Sequence, residues 1–153
     1  MKNYAKTILS AYNQISGMIT QIENTITHRA KNSFYMRTDT VSLAEQLITL
    51  GEIRKDLIEL KYIADEIFNK IKSEDAVLLK FKYLGITPDD ENFDHTSRNY
   101  FRKQIKALER FANKLTAGGY DEEWFKNKYL KIAFISAVYK KTLLEEGKKH
   151  VRF

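Results

Sequence analysis

Hydrophobic positions recur along this chain with helical spacing. In the first segment Ile8, Tyr12, Ile15, Ile19, Ile22 and Ile26 are separated by 4, 3, 4, 3 and 4 residues. This heptad seam predicts a helix over roughly Asn3–Arg29. Residues 30–39 break the pattern and read as a connection, with Phe34, Tyr35 and Met36 expected to pack back onto a neighbour. A second seam, Leu50, Ile53, Leu57, Leu60, Ala64, Ile67 and Ile71, predicts a long helix over Thr40–Lys72, capped by Asp39 or Thr40. Two seams joined by a short connection suggest an antiparallel helical hairpin over residues 1–72, with an intermolecular coiled coil as the competing arrangement.

Further elements follow the same logic. Ser73 is expected to cap a third helix, Glu74–Leu84, buried through Val77, Leu78, Phe81 and Leu84 and stopped by Gly85. The segment ITPDDENFDH, residues 86–95, reads as a loop or one short turn. A fourth helix begins at Thr96 or Ser97 and runs to Leu115, with Tyr100, Phe101, Ile105, Leu108, Phe111, Ala112 and Leu115 as its buried stripe. After Gly118 and Gly119, Asp121 caps a single fifth helix of about 25 residues, with a wide face from Trp124 through Phe125, Tyr129, Ile132, Ala133, Ile135, Ser136, Val138 and Tyr139 to Leu143 and Leu144. The basic tail GKKHVRF is expected to fray. With no convincing strand, the expected class is all-α. A long-helix hairpin (1–72) is followed by a helix-turn-helix-like unit (73–119) and a C-terminal long helix (120–153), which packs on the same domain or makes a dimer contact.

Composition narrows function more than fold. One proline and six glycines permit long helices and disfavour a many-turned β architecture. The absence of cysteine removes disulfides, thiolate metal sites and cysteine nucleophiles, and fits a reducing cytosol. The N-terminal stretch lacks the apolar core of a signal peptide, and no run is long enough to span a membrane, so a cytoplasmic protein is expected. No phosphate-binding glycine loop, dinucleotide fingerprint or nucleophile elbow occurs. His28, His95 and His150 are scattered. Asp90, Asn92 and Asp94 begin like a calcium loop, but His95 and Phe101 stand where its glycine and glutamate belong. No catalytic residue, metal site or cofactor is therefore expected, and the chain does not read as an enzyme.

Charge is distributed unevenly. Residues 1–85 carry a net +2, residues 86–95 a net −4, residues 96–120 a net +5 and residues 121–153 a net +3. In the fourth helix Arg98, Arg102, Lys106, Arg110 and Lys114 recur every fourth residue with Lys103 beside them, which places them on one slowly rotating flank. Such a row either solvates a surface helix or meets a polyanion.

The run LGEIRKDLIELKYIADEIFNKI, then SEDAVLLKFKYLG, then HTSRNYFRKQIKALERFANKL resembles region 4 of sigma-70-type factors, and more particularly the small phage and Firmicute ArpU-type transcription regulators. Leu79-Lys80-Phe81-Lys82-Tyr83 corresponds to the element before the helix-turn-helix, Ser97 to the start of the recognition helix, and Ala107-Leu108 to its Ala-Leu pair. Only thirteen residues separate Tyr83 from Ser97, so the first helix-turn-helix element is shortened, and residues 120–153 lie outside the resemblance. The resemblance implies a DNA-binding regulator of transcription. Ser97, Arg98, Asn99, Arg102 and Lys103 would face base edges, while Lys106, Arg110 and Lys114 would hold phosphates. The partner implied by the resemblance is double-stranded DNA; RNA polymerase is a candidate partner for the acidic loop 89–94, a second copy of the chain for the heptad seams and the fifth helix, and no membrane is expected. The alternative is a helical protein–protein interaction or structural protein with no nucleic-acid role.

Overall fold

The computed structural model describes residues 3–36, 39–88 and 98–151, with side chains described for 3–32, 39–88 and 98–147. Among them the chain is all-helical. The order is α1 (Asn3–Met36), α2 (Thr40–Lys70), α3 (Ser73–Leu79) with a π-helical extension (Lys80–Leu84), α4 (Arg98–Ala117), α5 (Glu122–Tyr129) and α6 (Ala133–Val151).

The two seams place α1 and α2 side by side. Ile8, Ile15 and Ile22 of the first and Leu57, Leu60, Ala64 and Ile67 of the second are buried. Cross-helix contacts pair Tyr12 with Asp65, Ser16 with Lys61, Glu23 with Arg54 and Arg29 with Gln46. Rising numbers on one helix meet falling numbers on the other, so the two run antiparallel. The connection expected over residues 30–39 does not begin at residue 30, because α1 continues to Met36. No glycine or proline stands between Ala30 and Met36 to stop it. The packing expected of Phe34, Tyr35 and Met36 falls on side chains outside the described residues. Asp39 caps α2 by accepting from the Val41 amide at 3.3 Å.

Burial is uneven along α1 and α2. Tyr4, Ala5, Thr7, Ile8, Leu9, Ala11 and Ile15 are all buried, covering more than half the circumference of α1 there. Beyond Ile22 the α1 seam is only partly covered, as are Leu50 and Ile53 opposite. The first turns of α1 thus lie inside a bundle, and the rest leaves it as a two-helix arm. The bundle is completed by Phe68 against Phe111 (ring centroids 5.3 Å), by Leu79, Ala107, Ala112 and Leu115, and by Phe125, Tyr129, Ile132, Ile135 and Tyr139.

Several expectations are corrected. Ser73 does not cap α3; it occupies the first helical position, and Lys72 precedes it without a side-chain cap bond. The buried residues there are Asp75, Ala76, Leu78 and Leu79, and Val77 is exposed, because α3 turns its 75–79 face toward α4. The helix then widens to π geometry before Gly85, whose φ of 69° is the left-handed conformation that a glycine stop supplies. The single fifth helix is two. Nothing in residues 130–132 is a helix breaker; the turn is tertiary. Lys128 bonds Glu59 and Lys131 pairs with Asp56 at 3.2 Å, holding both sides of the turn to α2. The chain then redirects along α1, where Lys6 meets Glu146 at 2.7 Å. Ala133, Leu143 and Leu144 of the expected apolar face are exposed. Helix α6 continues to Val151, into the tail expected to fray.

The α4–α5 corner is a Schellman motif: Tyr120 N–H donates to Leu115 O at 2.9 Å and Gly119 N–H to Thr116 O at 3.0 Å, with Gly119 at φ 88°. Tyr4 ties α1 to this corner through Thr116 and the Tyr120 carbonyl, each at 3.0 Å. Asp121 then caps α5, accepting from Trp124 N–H at 2.9 Å.

Burial lifts several phenols above the ordinary tyrosine value of 10.0. Tyr12, which also bonds Asp65, and Tyr83 are both pushed up to about 12. Tyr129 is raised further by burial and by Glu59 and Asp56. The unfolded chain therefore releases these protons before the folded one, so their stabilising contribution is complete below pH 10 and is lost as pH rises toward 12. Melting followed by circular dichroism should give a constant midpoint from about pH 8 to pH 9.5 and a steep fall above it, shallower in Tyr12→Phe.

Candidate nucleic-acid interface

Helix α4 is held by its buried face, which fixes what its other side presents. Tyr100, Gln104, Ala107, Phe111, Ala112 and Leu115 are buried, at spacings of one helical turn. Tyr100 stands edge-on to Phe81 of the π-helical turn, with ring centroids 6.0 Å apart. Phe101 and Ile105, expected in the buried stripe, are instead 52% and 60% exposed. Hydrophobic spacing alone marked one wide stripe. The helix buries only the half nearest α1, α2 and α3, and Gln104 takes a place inside it.

The basic residues separate into two groups. Arg110 donates from Nη1 to both Asp75 oxygens, at 2.8 and 3.1 Å, and the Asp75 side chain is only 4% exposed. Lys103 lies 3.3 Å from Glu74. Both cations thus meet the first turn of α3, where acids are favoured by the helix dipole. Arg98, Asn99, Arg102, Lys106 and Lys114 are exposed. Among the described residues none of their cations forms an ion pair. Glu109, also exposed, is the single acid of α4 and stands one turn beyond Lys106. Ser97 and the acidic residues 89–94 lie outside the described residues. Of the sequence candidates, then, α4 brings Arg98, Asn99, Arg102 and Lys106 onto one outward face, and Lys103 and Arg110 onto the side that meets α3. Sequence reasoning passed over Phe101 and Ile105, which border that outward face.

The rest of the surface offers less chemistry. A cleft of about 410 Å³ between α1, α2 and the π-helical turn is lined by Tyr12, Asp65, Asn69 and Lys80. Its polar groups are largely engaged: Tyr12 bonds Asp65, Asn13 donates to the Leu84 carbonyl at 3.1 Å, and the Lys80 ammonium lies over the Phe68 ring. Among the described residues no cluster of acidic or histidine side chains could hold a metal ion, and no helix is long and apolar enough to cross a membrane.

The two groups of cations should differ in stability measurements. Removing Arg110 leaves Asp75 buried without its counter-charge, so Arg110→Ala should cost about 1–3 kcal/mol, tempered by the half-exposed guanidinium. Arg102→Ala should stay within about 0.5 kcal/mol of the parent. Urea denaturation of both variants checks this, and equal losses would refute the division.

Compared with protein-family models, with curated proteins and with solved structures, the chain matches none.

Proposed function

We propose that this protein binds duplex DNA through the outward face of α4, as a small non-enzymatic regulator of transcription. The observation that carries the reading is the row Arg98, Arg102 and Lys106, exposed and without ion pairs among the described residues, on a helix whose opposite side is anchored in the core. A rigid helix with outward cations is the form in which proteins present charge to a groove and its flanking phosphates. The resemblance to ArpU-type regulators supports the same reading and supplies its regulatory part.

Roles are reassigned within the row. Arg98, Asn99 and Arg102, in the first turns, are the residues suited to base edges, and exposed Phe101 suits a thymine methyl. Lys106 and Lys114 suit phosphates. Arg110 and Lys103 chiefly brace α4 against α3.

The alternative, a helical interaction protein with no nucleic-acid role, is favoured by one observation. Phe101 and Ile105 form an exposed apolar edge beside the cations, as protein-binding helices often do.

Fluorescence anisotropy with a labelled duplex separates the two readings. Three to four phosphate contacts give a slope of log K against log salt of about −3 to −4. Arg98→Ala with Arg102→Ala should weaken binding several-fold to about a hundredfold, and Lys114→Ala should mainly reduce the slope, by about 1. Absence of binding to genomic or random duplex at about 50 mM salt would remove the DNA reading.

A further inference from the structure

Helix α2 carries a second seam on its outer side. Val41, Ala44, Ile48, Gly51, Lys55, Ile58 and Tyr62 are spaced 3, 4, 3, 4, 3 and 4 residues apart. Val41, Ile48, Ile58 and Tyr62 are 65%, 62%, 41% and 63% exposed, while the inner seam of the same helix is buried at Leu57, Leu60, Ala64 and Ile67. At 100° per residue the two seams lie on opposite sides of the helix. An outer strip that keeps a heptad for seven positions is the surface by which one helix packs along another.

We propose that this strip is the contact between two copies of the chain, with the α2 helices antiparallel. From Ala44 to Tyr62 the strip complements itself. With Ile48 opposite Ile58 of the second copy, Ala44 falls opposite Tyr62 and Gly51 opposite Lys55, so each small residue meets a large one. A methyl group built on Gly51 meets no atom within 4 Å, so space is open above it for the Lys55 stem of the other copy. The charges choose the direction. Lys55 and Glu52 are exposed, and among the described residues neither forms an ion pair. Antiparallel packing brings each Lys55 beside Glu52 of the other copy, twice, about a two-fold axis. Parallel packing stacks Lys55 on Lys55, which like-charge repulsion disfavours.

The strip spans about 33 Å at 1.5 Å per residue. A single helix face of that length buries less than the roughly 800 Å² per partner of a standard interface, so the dimer forms at micromolar rather than nanomolar concentration. The proposal uses α2 alone and does not rest on DNA binding by α4.

Sedimentation equilibrium of the full chain at low salt without DNA, from about 5 to 200 µM, tests it. The parent should pass from monomer to dimer across that range, and Ile48→Glu should remain monomeric with unchanged helicity. Lys55→Glu alone and Glu52→Lys alone should each weaken association at least about tenfold, whereas the double variant, with the charges exchanged, should return to within about threefold of the parent. A parent monomeric at the highest concentration, a dimer indifferent to Ile48→Glu, or a double variant no tighter than the single ones would overturn the proposal.

Discussion

The fold depends on the burial of the first turns of α1. Tyr4, Ala5, Thr7, Ile8, Leu9, Ala11 and Ile15 need cover over more than half the helix circumference, more than the single neighbour α2 can give. The small side chains at Ala5 and Ala11 let neighbouring helices approach closely, and α2, α4, the π-helical turn and α6 converge there. Tyr4 extends the constraint to the α4–α5 corner, which it joins through Thr116 and Tyr120. Past Ile22 burial falls, and among the described residues the same two helices continue with only partial cover. Core and arm are therefore one pair of helices under two degrees of cover.

This convergence is what aims α4. Phe111 and Leu115 are fixed against the bundle, Tyr100 against Phe81, and Arg110 against Asp75, so the helix has no freedom to roll about its axis. A helix held along its length by apolar contacts on one side and an ion pair on the edge must turn Arg98, Arg102 and Lys106 outward, and Phe101 and Ile105 with them. The proposed interface is thus a consequence of core packing rather than a separate device.

The heptad seams of α1 and α2 were legible in the sequence because each position along them is decided by the same neighbour, which leaves a strict period. The glycine stop at Gly85 and the Asp121 cap were legible because they are local chemistry. What escaped was decided by distant contacts or by the lack of a local stop. Ala30–Met36 stays helical because nothing stops it, and the turn after Tyr129 exists because Lys128 and Lys131 find acids on α2. Phe101 and Ile105 could not be told from core residues by spacing, since an apolar residue at the edge of a stripe is buried only if a neighbour arrives to cover it. The division of the cation row was partly hidden: Arg110 lies about 120° around the helix from Arg98, but only the placement of Asp75 shows which edge of the row is paired.

The energetics of that row bear on the proposed reading. Arg98, Arg102 and Lys106 stand at successive i, i+4 positions, where like charges oppose the helix by about 0.2–0.5 kcal/mol per pair at low salt. The acids of α3 within reach are engaged by Lys103 and Arg110, so they leave this repulsion standing. Glu109 relieves it only at one end. Folding gains nothing from the arrangement, since an exposed cation adds little stability even when paired. A polyanion laid against α4 would remove the repulsion and release its own condensed counterions, so the unfavourable term in the free protein becomes a favourable one in the complex. The same accounting gives no advantage to an uncharged partner, for which Phe101 and Ile105 offer contact but the three cations would have to be desolvated without compensation.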